Sequence, residues 1–398
     1  MLLFLAVAFA FLIRFNISPQ IMNRIVNYTD DGGSFIEKLH VGTYALFLLL
    51  PFAFFARPFT LRGEEIGKFR VLLRFSVLMA ALVPYLFLTG RAGSSGFIID
   101  TYLAASAAGL VMLTFDDRAR HALGDIVLGM LILSALIGIM EAVTHIRVLP
   151  YDLNEVQFRP IGLSNHPLAL GSLCATAIGF TVLARWPVWL RILAVFVLFV
   201  GCAASGARFA LLLGGVEVMA LVLFTRWQGL TPRNAFKAKL IVFLITLVLA
   251  SALITAMYAG GLLNRFGTSI FDENFMARVT IYRVFDYVSW RDIMFGMNVK
   301  DLLAIVNQKL HLPYIESAPV VITLLFGLPI ALFFAWLLVW MLLRMLRGAP
   351  TAAWIGAFTY VLTALSNNAL SSKNPEIAIL LVLLVAYSGR ARVQPNAP

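Results

Sequence analysis

The one long polar interruption of this chain is residues 262–317, LLNRFGTSIFDENFMARVTIYRVFDYVSWRDIMFGMNVKDLLAIVNQKLHLPYIES. Within it, apolar residues recur at roughly helical spacing and form a broad face, namely Ile281, Val284, Phe285, Tyr287 and Val288. Arg278, Arg283 and Asp286 interrupt this face. A basic amphipathic helix between two membrane spans is expected to lie on the lipid surface. We therefore predict the chemistry in this long polar segment, with membrane spans as its frame.

The rest of the chain has the composition of a polytopic membrane protein. Of its 398 residues, 61% are hydrophobic and 13% are charged, whereas soluble domains carry about 25% charged residues. A membrane-spanning helix needs about 20 apolar residues. Apolar segments lie near residues 1–13, 40–56, 71–90, 97–115, 122–142, 167–184, 188–204, 209–225, 239–261, 318–342, 352–366 and 376–388. We predict one all-α integral membrane domain, residues 1–398, that is a bundle of about twelve spans with the extracytoplasmic loop 262–317.

The distribution of Lys and Arg predicts the orientation of the bundle. One set of loops is rich in basic residues and poor in acidic ones, and its basic residues include Arg57, Arg62, Lys68, Arg70, Arg118, Arg120, Arg185, Arg191, Arg344 and Arg347. In the opposite set, acidic residues accompany the basic ones. By the positive-inside rule, both termini are cytoplasmic and the long polar segment lies outside. The net charge of +11 is therefore a topology signal, and no nucleic-acid partner is expected.

The first apolar segment is expected to be retained as a span. Residues 1–11 are apolar, and Ala8-Phe9-Ala10 resembles a signal-peptidase site. However, no Lys or Arg precedes this run, as one normally does in a secretory signal. Cleavage would leave the remaining topology unchanged.

On this topology the outer loops gather several cations and one carboxylate, each at a helix end. They are Arg159 and His166 in the stretch Arg159-Pro-Ile-Gly-Leu-Ser-Asn-His166-Pro-Leu-Ala-Leu-Gly171, Arg208 in the turn Ser205-Gly-Ala-Arg208, the pair Arg278 and Arg283, and Glu316. A guanidinium group binds two phosphate oxygens and keeps its proton. Helix N-termini add donors for anions, and a carboxylate can act as a general base toward a sugar hydroxyl. Together these groups favour a lipid-linked diphosphate as the bound molecule.

Each of these features also has a purely structural interpretation. Pro167 suits the first turn of a helix that Asn165 or Ser164 would cap, which leaves His166 a surface residue. Arg208, at a span boundary, would then reach the membrane interface with its charge. The sequence contains no metal-ligand spacing, no Gly-rich phosphate loop and no nucleophilic triad, so neither a metal nor a cofactor is expected.

The order of these motifs resembles that of the bacterial O-antigen ligase and Wzy-type polysaccharide polymerase superfamily. The resemblance covers roughly residues 155–345: Arg159-Pro-Ile-Gly with His166-Pro-Leu-Ala-Leu-Gly171, Ser205-Gly-Ala-Arg208, the long outer loop, and Glu316-Ser317 before a span that holds Gly327. The chain departs from the family at Leu168, where Asn is usual, and at Glu316, where ligases usually carry His. The second departure favours a polymerase or an exopolysaccharide relative over a ligase.

The resemblance implies metal-free glycosyl transfer from an undecaprenyl diphosphate-linked oligosaccharide at the outer leaflet of the bacterial inner membrane. Arg208 and Arg278 would hold the diphosphate, and Glu316 would deprotonate the acceptor hydroxyl. Arg159, His166 and Arg283 would bind the remainder of the substrate. The resemblance also implies a chain-length regulator and a flippase as partners, besides the lipid bilayer.

Two other functions remain open from the sequence. A ligase would use the same donor and pass a finished glycan to another acceptor. A sugar or lipid-linked glycan transporter would use charged residues inside apolar segments, such as Arg74, Asp100, Asp125, Glu141 and above all Glu217, because a charge at that depth costs about 3 kcal/mol. A transporter should gather polar residues near mid-membrane in two matched halves. Here the cations gather at the outer face, which favours the enzyme.

Overall fold

A computed structural model describes residues 1–29, 34–56, 58–151, 158–225, 231–259, 273–313 and 315–387. Over these residues the chain is all-helical, with 77% helix and no strand. The helices are α1 Leu2–Asn16, α2 Pro19–Asn23, α3 Val41–Phe55, α4 Glu64–Leu88, α5 Ser95–Phe97, α6 Ala104–Leu113, α7 Asp117–Thr144, α8 Pro167–Thr181, α9 Val188–Ala204, α10 Arg208–Phe224, α11 Pro232–Ala259, α12 Glu273–Thr280, α13 Trp290–Phe295, α14 Val299–Leu310, α15 Ala318–Phe326, α16 Leu328–Met345, α17 Thr351–Leu365 and α18 Glu376–Tyr387. A π-helical stretch, Ile98–Leu103, joins α5 to α6.

Every apolar segment marked in the sequence coincides with a helix, but the segment near 318–342 is divided in two at Gly327. Gly327 has φ +86°, and a Cβ there would lie 2.3 Å from the carbonyl oxygen of Met294. Only glycine combines this backbone conformation with so close an approach. The chain therefore turns between α15 and α16, and α16 begins a separate helix.

Among the described residues, four helical stretches are long and apolar enough to cross a membrane. They are Glu64–Leu88, Ala92–Leu113, Asp117–Thr144 and Leu328–Met345. Shorter apolar helices, including α1, α3, α8, α9, α17 and α18, accompany them. The prediction of an all-helical chain with helices that could span a membrane is confirmed. The number of about twelve spans stays a prediction.

The centre of the bundle is built from α6, α8 and α18. Every residue of α6 and of α18 is buried. α18 packs against α6, α7 and α8, and α8 also packs against α9, α10 and α17. Helices that are apolar and buried on all sides form the interior of a bundle. The start of α8, which carries His166, is therefore held by the core.

Part of the apolar face in the long polar segment packs against helices that follow it in the chain. The first part of the segment, residues 262–272, lies outside the described residues. Beyond α12, a 3-10 turn covers Ile281–Asp286. Ile281 and Val284 are 1% and 0% exposed, and they join a second apolar cluster with Leu302, Val306, Leu310, Ile315, Val320 and Leu324. α14, which the sequence analysis did not identify, and α15 supply the apolar partner of these two residues, whereas Val279 and Tyr282 remain exposed. Contact of this segment with lipid stays a prediction.

Candidate functional site

An ion pair joins Arg278, in the last turn of α12, to Glu316, which lies just before α15. Nε of Arg278 is 3.2 Å from Oε2 of Glu316, and the two side chains are 32% and 14% exposed. The pair is thus largely enclosed but open to solvent at one edge. The neighbouring Ser317 donates a hydrogen bond to the hydroxyl of Tyr282 at 3.5 Å. Two of the three predicted catalytic residues are therefore in direct contact.

His166 lies at the start of α8 and close to two of the predicted arginines. Its Nδ1 accepts a hydrogen bond from the backbone N–H of Leu168 at 3.1 Å, so His166 itself caps the helix. Burial, and then the positive charges of Arg159 and Arg278, lower the pKa of His166 to about 3. The ring is therefore neutral at neutral pH, with Nε2 as its donor. Arg159, His166, Arg278 and Glu316 form one group, which we call the α8 cluster.

A buried carboxylate of α7, which the sequence shows only as a charge inside an apolar segment, holds the chain before α8. Glu141 is 0% exposed. Its Oε2 accepts hydrogen bonds from the backbone N–H groups of Ile161 at 2.8 Å and Gly162 at 2.9 Å, and its Oε1 accepts one from Val148 at 3.0 Å. The side chain of Glu141 thus holds two separate stretches of backbone, one at Val148 and one at Ile161 and Gly162. The position of Arg159, two residues before Ile161, depends on these bonds.

Arg147 supports the same stretch from its other side. Its guanidinium carbon lies 4.4 Å from the ring centroid of Tyr151 and 4.6 Å from that of Phe158, within the range of cation–π attraction. Its Nη2 donates to the carbonyl oxygen of Arg159 at 2.9 Å. Gly162 has φ +56°, and a Cβ there would lie 2.3 Å from the carbonyl oxygen of Ser134. Residues 158–166, directly before α8, are therefore held by specific contacts.

Arg208, the third predicted catalytic residue, begins α10 and is partly buried. The turn before it packs on α8, since a Cβ on Gly171 would lie 2.6 Å from Cβ of Ala207 and 2.7 Å from Oγ of Ser205. Gly171 is about 8 Å along the helix from His166. The start of α10 therefore lies at the same end of the bundle as the α8 cluster.

Arg283, predicted to bind substrate, lies in the 3-10 turn that follows α12. Its neighbours Ile281 and Val284 are buried, whereas Arg283 is exposed. Its side chain forms no hydrogen bond or ion pair with another residue that the structure describes. The structure thus does not tie Arg283 to the α8 cluster.

Two acidic residues inside apolar segments, Asp100 and Glu217, are buried. Asp100, in the π-helical stretch, is buried and accepts hydrogen bonds from the hydroxyl of Tyr28 at 2.8 Å and from the backbone N–H of His40 at 3.1 Å. Glu217 of α10 is 1% exposed, and its Oε1 lies 2.5 Å from where a Cβ on Gly179 of α8 would stand. Among the described residues, no three His, Cys, Asp or Glu side chains come together as a metal site would require.

The lowered pKa of His166 predicts that the protein loses stability as the pH falls. An unfolded His binds a proton near pH 6.5, whereas folded His166 binds one only near pH 3. Between these values the unfolded state binds more protons, so acid favours unfolding. Because the ring is partly exposed, we expect a loss of about 1 kcal/mol between pH 7 and pH 5. Thermal unfolding in detergent should show a smaller loss in His166→Asn, which keeps a capping side chain. Equal losses in both proteins would contradict this prediction.

Comparison with protein-family models, with curated proteins and with solved structures gives no match to this chain. The site is therefore interpreted from its own geometry and from the motifs of the sequence.

Proposed function

We propose that this chain is a bacterial inner-membrane glycosyltransferase that polymerises undecaprenyl diphosphate-linked oligosaccharide repeat units at the outer leaflet. The observation that carries the proposal is the Arg278–Glu316 ion pair beside Arg159 and His166. Arginines bind diphosphate oxygens in a bidentate manner, and a carboxylate accepts the proton of an attacking hydroxyl. The α8 cluster thus combines the two kinds of group that the reaction requires.

The ion pair provides a physical link between donor binding and catalysis. A donor diphosphate brings negative charge that competes with Glu316 for the guanidinium of Arg278. When the diphosphate binds Arg278, the carboxylate is released to accept a hydrogen bond from the acceptor. Arg159 adds a second positive charge, and the neutral ring of His166 offers Nε2–H as a donor without adding charge.

The chemical step is a direct displacement at the anomeric carbon of the donor sugar. The acceptor hydroxyl oxygen forms the new bond to this carbon, and its proton passes to the carboxylate of Glu316. The bond between the anomeric carbon and the diphosphate oxygen breaks, and undecaprenyl diphosphate leaves with the electron pair. Arg278 and Arg159, with Arg208 at the same end of the bundle, stabilise the charge that develops on the diphosphate.

The proposal includes a topology of about twelve spans with both termini in the cytoplasm and the α8 cluster outside. The excess of Lys and Arg in the opposite loops supports it. A flippase would then deliver the donor to the outer leaflet, and a chain-length regulator would act on the growing polymer.

The test uses cells that lack the chromosomal copy and carry Arg278→Ala at the same protein level as the wild type. Because donor binding loses a bidentate cation, we expect polymer to fall at least tenfold and single lipid-linked repeat units to accumulate. Extracted lipid-linked saccharides would be sized in the same cells. Arg291→Ala is the matched control, since Arg291 is an exposed arginine of the long polar segment outside the cluster, and it should leave polymer unchanged.

The size of the accumulating product separates the alternatives. Full-length lipid-linked polymer without transfer to its final acceptor would identify a ligase instead. Normal polymer in Arg278→Ala, together with loss of polymer in Glu217→Gln, would overturn the enzyme and favour a transporter.

A further inference from the structure

The end of the bundle opposite the α8 cluster carries a groove between α4 and α16 that the proposed function does not use. Its basic part has a volume of about 640 Å³ and is lined by Gly63, Glu64, Gly67, Lys68, Arg70, Val71, Arg74, Trp340, Arg344 and Arg347. Its apolar part has a volume of about 550 Å³ and is lined by Leu73, Arg74, Val77, Leu78, Trp336, Leu337 and Trp340. Arg74 and Trp340 belong to both parts, so the two form one continuous channel on the surface, which we call the α4–α16 groove.

The basic part has a strong excess of positive charge. Lys68, Arg70, Arg74, Arg344 and Arg347 face one carboxylate, that of Glu64. The four arginines are exposed, and their side chains make no hydrogen bond or ion pair with another described residue. Arg70 and Arg74 are spaced i,i+4 on α4, so these like charges lie on one helix face and repel each other. Arg344 is in the last turn of α16, and Arg347 is in the turn that follows this helix. An anion placed between the two pairs would offset their positive charge.

The apolar part continues from the basic part along the same two helices. Val77 is 61% exposed and Trp336 is 56% exposed, and the rings of Trp336 and Trp340 stack with centroids 6.2 Å apart. From Lys68 to Leu78 the groove extends about 15 Å along α4, which is half of a hydrocarbon core of about 30 Å. The groove therefore has the depth of a single leaflet, with its charged part at the helix ends.

The groove and the α8 cluster lie at opposite ends of α4. Near the far end of this helix, the hydroxyl of Tyr85 donates to the carbonyl oxygen of Phe326 at 2.9 Å, in the helix α15 that follows Glu316. Lys68 and Tyr85 are about 26 Å apart along the axis. The loops at the basic end are those that the positive-inside rule places in the cytoplasm. Basic pockets between spanning helices on that side are a recurrent way of binding phospholipid head groups.

We propose that the α4–α16 groove binds one anionic phospholipid of the cytoplasmic leaflet, with its phosphate among the four arginines and an acyl chain along Val77, Trp336 and Leu337. A free phosphate would use only the basic part, and a zwitterionic lipid would bring no net charge to it. The proposal does not depend on the glycosyltransferase reaction, because the groove shares no residue with the α8 cluster.

The test measures lipids retained by the purified full-length chain in native mass spectrometry, with phosphatidylglycerol and phosphatidylcholine supplied at equal concentration. We expect the wild type to retain phosphatidylglycerol at least tenfold better than phosphatidylcholine. The double substitution Arg344→Gln/Arg347→Gln should abolish this preference. The matched control is Arg62→Gln/Arg118→Gln, which removes two exposed arginines at the same end of the bundle but outside the groove, and it should keep the preference.

Thermal unfolding in detergent gives a second readout, because a ligand that binds only the folded state raises the unfolding temperature. Phosphatidylglycerol should raise it in the wild type and in the control double variant, and not in Arg344→Gln/Arg347→Gln. Inorganic phosphate at the same concentration should not reproduce the rise, since it cannot use the apolar part. Equal retention of both lipids by the wild type, equal losses in both double variants, or full stabilisation by phosphate alone would each overturn the proposal.

Discussion

Glu316→Gln is expected to lower the rate of polymerisation by a factor of about 10² to 10⁴, the range that general-base catalysis supplies. Gln keeps the size of the side chain and accepts hydrogen bonds, but it cannot take up the proton of the acceptor hydroxyl. The measurement is the rate of chain extension by the purified protein with a lipid-linked repeat unit as the substrate. Binding of the donor should persist, because Arg278 and Arg159 are unchanged. A rate within twofold of the wild type would contradict the assignment.

A second pair of substitutions distinguishes a catalytic carboxylate from one that only holds Arg278. Glu316 contacts Arg278 directly, so its loss also breaks an ion pair. In the exchange Arg278→Glu/Glu316→Arg the opposite charges remain, but the proton acceptor and the phosphate-binding group change places. The exchanged protein should fold and remain inactive. Recovery of polymer in this variant would mean that the ion pair serves the structure alone.

Glu141→Leu is expected to destabilise the protein by several kcal/mol. The substitution leaves two buried backbone N–H groups, those of Ile161 and Gly162, and the partly buried N–H of Val148 without their acceptor, and each buried unsatisfied group costs about 1 to 3 kcal/mol. Since domains are stable by only about 5 to 15 kcal/mol, the protein should unfold far below the temperature of the wild type or fail to accumulate. Thermal unfolding in detergent measures the effect.

Glu217→Leu is the matched control for Glu141→Leu. Glu217 is equally buried, but its carboxylate accepts no well-formed hydrogen bond from another described residue. Replacing it with an apolar residue of similar size removes a buried polar group that has no such bond, so stability should stay level or rise. Glu141→Gln keeps one acceptor oxygen, so its unfolding temperature should lie between those of Glu141→Leu and Glu217→Leu. Equal unfolding temperatures for Glu141→Leu and the wild type would contradict the stabilising role of the Glu141 hydrogen bonds.

The helices could be located from the sequence because the signal is local. A run of apolar residues can be recognised without knowing which helices pack against it, and every predicted segment contains a helix. The division between α15 and α16 was missed because residues 318–342 read as one apolar run. Gly327 causes it through its backbone conformation and its contact with Met294, about thirty residues away in the chain, and such a contact has no signature within the run.

The sequence predicts those members of the site that carry a charge or belong to a motif, and it does not predict their backbone partners. Arg278 and Glu316 were singled out by charge and by motif order, and the structure places them in contact. Glu141 was noted only as a charge inside an apolar segment. Its partners are backbone N–H groups, and residue type does not show which of these groups will bind a carboxylate. α14 is not predicted, because the apolar face recognised in the polar segment is that of residues 281–288 and α14 lies beyond it. The apolar face of α12 and its 3-10 extension therefore had no visible partner other than lipid.

The burial of α18 sets an order of events during synthesis. Helices α6, α7 and α8 leave the ribosome long before Glu376–Tyr387, yet their facing surfaces are shaped to α18. A Cβ on Gly124 of α7, for example, would lie 2.5 Å from Cβ of Ala386. In lipid, close packing of small residues drives such association more than hydrophobicity does. The position that α18 occupies is therefore without its helix until α18 has been synthesised. The packing around α8 is complete only once α18 is in place.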